Sequence, residues 1–161
     1  QPKGVTEIER ASDVTSSPAI DGLNIYTVAY QGKISAIDRV NARTLWSRDI
    51  SSYTGLNIDG ARIFLSHTGG AVYSLAIESG KTYWRQGELL NRKLTTPLGM
   101  GDFVAVGDLE GYIHILDKET GAFLGRIQLD EEPVMRRLVE FETGKFLAQT
   151  RNGGLYAISI Q

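Results

Sequence analysis

A repeat of nearly constant length predicts an all-β fold, a β-propeller of about four four-stranded antiparallel blades. Three observations lead there: the repeat, hairpin signals inside it, and strands that are apolar on both faces. The segment Gly32-Lys33-Ile34-Ser35-Ala36-Ile37-Asp38 returns as Gly70-Ala71-Val72-Tyr73-Ser74-Leu75-Ala76. It returns again as Gly111-Tyr112-Ile113-His114-Ile115-Leu116-Asp117 and as Gly153-Gly154-Leu155-Tyr156-Ala157-Ile158-Ser159. The steps from Gly32 to Gly70, Gly111 and Gly153 are 38, 41 and 42 residues. A fixed period of this size marks solenoids, propellers or arrays.

The flanks keep the same register. Ile20-Asp21-Gly22 and Ile58-Asp59-Gly60 stand 38 residues apart, as do Trp46 and Trp84. Gly80 and Gly121 follow at a spacing of 41. In the first unit the strands are expected near 17–21, 24–30, 33–38 and 43–49. Asp-Gly between apolar runs predicts type I′ hairpin turns, with positive φ at both central residues. Val, Ile, Tyr, Phe and Thr dominate the runs, as strands prefer. No helical stripe of useful length competes with them.

Pairs such as Ile25-Tyr26, Ile63-Phe64 and Val104-Ala105 break strict polar alternation. A sheet apolar on both faces must be covered on both sides. Blades stacked face to face around an axis meet that need. A β-sandwich is the runner-up fold, but it does not explain the period. The expected blades are 15–50, 52–90, 94–129 and 132–161, with 1–14 a strand or loop of a preceding blade.

Composition excludes several functions. With 17 Lys and Arg against 19 Asp and Glu, and no basic cluster, nothing resembles a nucleic-acid footprint. Cysteine is absent, which removes disulfides, thiolate zinc sites and a thiol nucleophile. No apolar run reaches the 18 residues of a membrane span. The start, Gln1-Pro2-Lys3-Gly4, has neither an initiator Met nor a signal peptide, so either a processed form or a segment beginning inside a longer protein is expected.

Candidate sites are few. His67 and His114 are the only histidines, sit at non-equivalent repeat positions, and read as half-buried strand residues rather than metal ligands. A Ser-His-Asp set is left open by sequence, although no Gly-x-Ser-x-Gly elbow is present. Asp108, Glu110 and Asp117 could line a Ca²⁺ loop, but the run is short and reads better as hairpin-turn chemistry. Glu131-Glu132 and Arg136-Arg137 around Pro133 read as a solvated face, with a salt-dependent partner contact as the lesser reading. No cofactor is expected.

Ala36-Ile37-Asp38 followed by Thr44-Leu45-Trp46 resembles the docking motif of the pyrroloquinoline-quinone-like propeller family. The second unit carries Ser74-Leu75-Ala76, Gly80 and Trp84; the third has Asp117 and Gly121, but Gly125 in the Trp place. The resemblance implies that Trp46 and Trp84 pack between blades rather than stack on a ligand. In the first unit Ala42 holds the turn-glycine place, and Asn41 is the candidate left-handed residue instead.

Within that group the chain is similar to the BamB family of outer-membrane assembly lipoproteins. The stretches that carry this are residues 5–18, Leu23 to Ser35, Val106-Gly107-Asp108-Leu109-Glu110-Gly111-Tyr112-Ile113-His114, and Gly153 to Ile158. The resemblance implies the C-terminal half of an eight-bladed ring. It also implies a non-enzymatic scaffold on the periplasmic face of the outer membrane, held there by an upstream lipid anchor. The implied partner is the set of POTRA domains of BamA. Asp13 matches the first acidic residue of the family's contact stretch, with Arg10 a further candidate contact, although Thr15 stands where a second Asp is usual. The bland alternative for Asp13 is a cap or Asx-turn. The rival function is a fragment of a quinoprotein dehydrogenase that holds pyrroloquinoline quinone and Ca²⁺ on the axis.

Half a ring leaves two apolar blade faces open. The last unit has room for only three strands before Gln161, near 133–141, 145–150 and 154–160. Residues 1–10 are candidates to complete it, in cis or from a second copy. Association of two copies, closing a ring of eight blades, is therefore expected.

Overall fold

The computed structural model describes residues 16–30, 32–135 and 137–160. Asp13, Arg10, Arg136 and the expected 1–14 segment lie outside the described residues.

The described residues form four antiparallel sheets in chain order. Blade 1 contains β1 (Ala19–Asp21), β2 (Asn24–Val28), β3 (Ile34–Asp38) and β4 (Thr44–Arg48). Blade 2 contains β5 (Leu56–Asp59), β6 (Arg62–Ser66), β7 (Val72–Ala76) and β8 (Thr82–Gln86). Blade 3 contains β9 (Leu98–Met100), β10 (Phe103–Gly107), β11 (Tyr112–Asp117) and β12 (Phe123–Gln128). Blade 4 has three strands, β13 (Val139–Glu142), β14 (Lys145–Gln149) and β15 (Leu155–Ser159). Every strand pairs with its neighbour in sequence. The first strands β1, β5, β9 and β13 lie successively beside one another, which places them nearest the axis.

The two apolar faces find partners in successive blade interfaces. Cross-strand neighbours share a face. Tyr26, Ala36 and Trp46 are paired across β2, β3 and β4 and meet Ile63, Leu65 and Leu75 of blade 2. The other face of blade 2 presents Phe64, Val72 and Trp84 to Val104, Val106 and Leu116. Blade 3 then presents Ala105 and Ile113 to Phe146 and Ala148. Adjacent residues Ile63, Phe64 and Leu65 are all fully buried. That is why β6 reads as a continuous apolar run.

Two local expectations need correction. The hairpins at Asp21-Gly22 and Asp59-Gly60 are not type I′. Asp21 pairs with Asn24, so the central residues are Gly22 and Leu23, and only Gly22 has positive φ, 55°. Gly60 at 58° and Gly101 at 51° repeat the pattern in blades 2 and 3. Glycine at the first central position is the II′ arrangement, which matches strand twist equally well. Asn41 is also not the left-handed residue. Ala42 itself takes φ of 57°, at the place where Gly80 has 67° and Gly121 has 73°. Asn41 Oδ1 accepts from Arg43 N instead, at 2.9 Å.

Candidate functional site

The strongest repeated geometry lies between blades. Trp46 Nε1 donates to Ile77 O at 3.0 Å, and Trp84 Nε1 donates to Lys118 O at 2.8 Å. Each indole lies flat against a turn glycine of the next blade. A Cβ on Gly80 would stand 2.6 Å from Trp46 Cε3, and one on Gly121 would stand 2.5 Å from Trp84 Cε3. Only glycine leaves room there. The residue two positions after each Trp adds a second bond: Arg48 Nη1 donates to Gly80 O at 2.9 Å, and Gln86 Nε2 to Gly121 O at 3.0 Å. Tyr26 and Phe64 back the two indoles at 6.1 and 6.0 Å between centroids. These tryptophans are occupied on both faces and at the N–H.

A polar cluster sits at the turn between β10 and β11. Asp108 is fully buried. Its Oδ1 accepts from the N–H groups of Glu110 and Tyr112, at 2.9 and 3.0 Å. Its Oδ2 faces His114 Nε2 at 2.8 Å and Arg92 Nη1 at 2.5 Å. Arg92 also reaches Glu110 Oε2 at 3.0 Å. Burial alone would push the Asp108 carboxyl up. The bonds from His114, Tyr112 N–H, Arg92 and Glu110 N–H outweigh it and hold the carboxyl below its ordinary range. Asp117 does separate work seven residues after Glu110, accepting from Glu119 N, Thr120 N and Thr120 Oγ1. The acidic residues are thus consumed as turn and interface anchors.

The two histidines part company in the structure. His114 lies on β11 and is buried. His67 is not on a strand; it stands in the turn after β6, where its Nδ1 accepts from Gly69 N at 2.9 Å. Among the described residues no three of His, Cys, Asp and Glu gather into a metal-holding group.

Two open spaces stand out among the described residues. One, of about 410 Å³, lies at the outer rim between blades 2 and 3 and is lined by Leu89, His114, Phe123 and Leu124, among others. The other, of about 490 Å³, opens at the axial end where the first strands begin. Its lining includes Ser17, Tyr53, Thr54, Asn57, Thr96 and Arg137. Sequence reasoning assigned Arg137 to a solvated face and missed this convergence. The signal was available: Ser17, Thr54, Thr96 and Arg137 each stand two residues before the first strand of a blade.

A family model and sequence relatives of the chain name one family. The family model described as outer membrane protein assembly factor BamB matches residues 1–86 and again 68–161. A relative in Bordetella pertussis, named outer membrane protein assembly factor BamB, is 37% identical over 98% of this chain and 41% of its own length. The crystal structure of BamB from Moraxella catarrhalis shares the fold with a TM-score of 0.84, at 24% identity, over 92% of this chain and 45% of that one. A quinohemoprotein alcohol dehydrogenase from Comamonas testosteroni is more distant, with a TM-score of 0.60 at 21% identity over 71% of this chain. That likeness speaks to fold alone. The chain spans about two fifths of the length of the curated relatives it matches. With the family model matched from Gln1 to Gln161, the chain belongs to the BamB family.

Proposed function

We propose that this chain is part of a non-catalytic scaffold for outer-membrane protein assembly, and that it contacts the POTRA domains of BamA on the periplasmic side of the outer membrane. The full-length protein would be a lipoprotein anchored upstream. The observation that carries the reading is the end-to-end match to a family whose relatives are named assembly factors. Rigid blades joined by loops suit broad protein recognition. Asp13, which matches the family's contact stretch, and Arg10 beside it are the contact residues proposed on this half.

Titration with soluble POTRA domains of BamA tests the reading. Saturable binding is expected, weakened several-fold by Asp13→Ala and left unchanged by Arg85→Glu on the far outer strand β8. Affinity that ignores Asp13→Ala removes that residue from the contact. Absence of any binding removes the contact from this half of the molecule.

A further inference from the structure

The axial cavity has a composition that its repeat positions explain. Blades radiate from the axis, so equivalent residues at the start of each first strand converge. At that position blades 1 to 3 carry the hydroxyls of Ser17, Thr54 and Thr96, and blade 4 carries the guanidinium of Arg137. Thr96 pairs with Arg137 in a parallel bridge, and Thr96 Oγ1 donates to Thr54 O. These contacts tie three of the four blades together at the mouth.

Among the described residues the lining holds one cation and no carboxylate. Among the described residues Arg137 has no ion-pair or hydrogen-bonding side-chain partner. Ser17 Oγ and the Tyr53 hydroxyl are likewise without a bonded partner among the described residues. Asn57 spends its Oδ1 on Gly99 N, at 2.9 Å, which leaves its amide N–H groups to the cavity. Donors therefore outnumber acceptors around one guanidinium. Pro18, Leu56 and Ile58 supply an apolar wall beside them. About 490 Å³ is within the usual span of small-molecule sites, roughly 300–1,000 Å³.

From this geometry we infer that the axial mouth binds an organic carboxylate, with Arg137 clamping the carboxylate and the apolar wall receiving its body. A guanidinium fork matches a carboxylate in two parallel bonds. The pair is also charge-balanced one to one. A phosphate dianion would keep a negative charge that no other cation among the described lining residues answers. The site is open on one side, so affinity is expected near the millimolar level. The carboxylate site does not depend on the scaffold reading, since its ligand is small and its residues differ from Asp13 and Arg10.

The test follows the side-chain Nε–H resonance of Arg137 during titration of the 161-residue chain with benzoate, benzamide or inorganic phosphate. Benzoate is expected to shift it saturably, with neither benzamide nor phosphate doing so. Benzoate affinity, read from Tyr53 ring resonances, is expected to fall about tenfold or more in Arg137→Gln, and less in Arg137→Lys, which keeps the charge without the fork. Arg137 is exposed, so both variants should fold. A silent Arg137 resonance, equal binding of benzamide, phosphate binding as tight as benzoate, or unchanged affinity in Arg137→Gln would each overturn the site.

Discussion

Ala42 sits in a left-handed conformation that its Cβ disfavours, at a cost of roughly 1–2 kcal/mol. The equivalent Gly80 and Gly121 are fixed as glycine for a second reason, since an indole occupies the space of the missing Cβ. No described tryptophan covers Ala42, so a methyl is tolerated there sterically. Ala42→Gly is therefore expected to raise stability by about 0.5–1 kcal/mol, the strain relief less the added chain entropy. Gly121→Ala should do the opposite and lower it by about 2 kcal/mol or more, because Trp84 must move. Urea unfolding with an unchanged slope would check both.

Trp84 and Trp46 occupy the same repeat position but not the same surroundings. Trp84 is 8% exposed, while Trp46 is only half-buried. Trp84→Ala is expected to cost about 3–5 kcal/mol and Trp46→Ala clearly less. Trp84→Phe keeps a ring on Gly121 and loses the bond to Lys118 O, which predicts a loss nearer 1 kcal/mol from that bond, plus a small cavity term. Equal costs for the two Trp→Ala changes would contradict the burial argument.

At the scale of elements, the β10–β11 hairpin hangs on Asp108. Folding holds this carboxyl below its ordinary range, so it binds its proton more weakly folded than unfolded. Its contribution is present above the unfolded value, about pH 4, and is lost as pH falls through the lower folded value. Asp117, bonded by the Thr120 hydroxyl and nearby N–H groups, shifts in the same direction but is exposed. Acid unfolding of Asp108→Asn is therefore expected to be shallower than that of the parent chain below about pH 4. Its stability at pH 7 should be lower, because Arg92 and His114 lose a charged partner. Parallel acid profiles would show that Asp108 is not the titrating anchor.

What could be read in advance divides along physical lines. Strands were legible because the pattern Gly32 to Asp38 recurs and because β-rich runs on both faces demand two covers. Turn type was not legible, since Asp-Gly serves I′ and II′ turns alike and the one-residue offset of Asp21 decides between them. Left-handed Ala42 was missed because local preference favoured Asn41, whereas the blade fixes the conformation at position 42. His67 was misplaced by a single residue beyond the end of β6. Arg137 was read from its neighbours in the chain, but its surroundings come from three other blades.

For the whole molecule, the two outer blade faces set the last expectation. On blade 1, Ile20, Ile25 and Ile37 are direct cross-strand neighbours on the face turned away from blade 2. Ile20 is 65% exposed, and Leu45 beside Trp46 is 51% exposed. On blade 4, Val139, Leu147 and Ala157 line up on the face turned away from blade 3, and Leu155 is 68% exposed. Contiguous apolar faces of this kind favour association in water. Two copies related by a two-fold axis can set blade 4 of each against blade 1 of the other, satisfying both faces at once. The 161-residue chain is expected to sediment as a dimer at micromolar concentration, with a melting temperature that rises with concentration. Leu155→Glu places a charge in each of the two equivalent junctions and should shift the population to monomer without unfolding the blades, since Leu155 touches none of the buried interfaces. A parent chain that stays monomeric across that range, with a melting temperature independent of concentration, would show that these faces do not pair with each other.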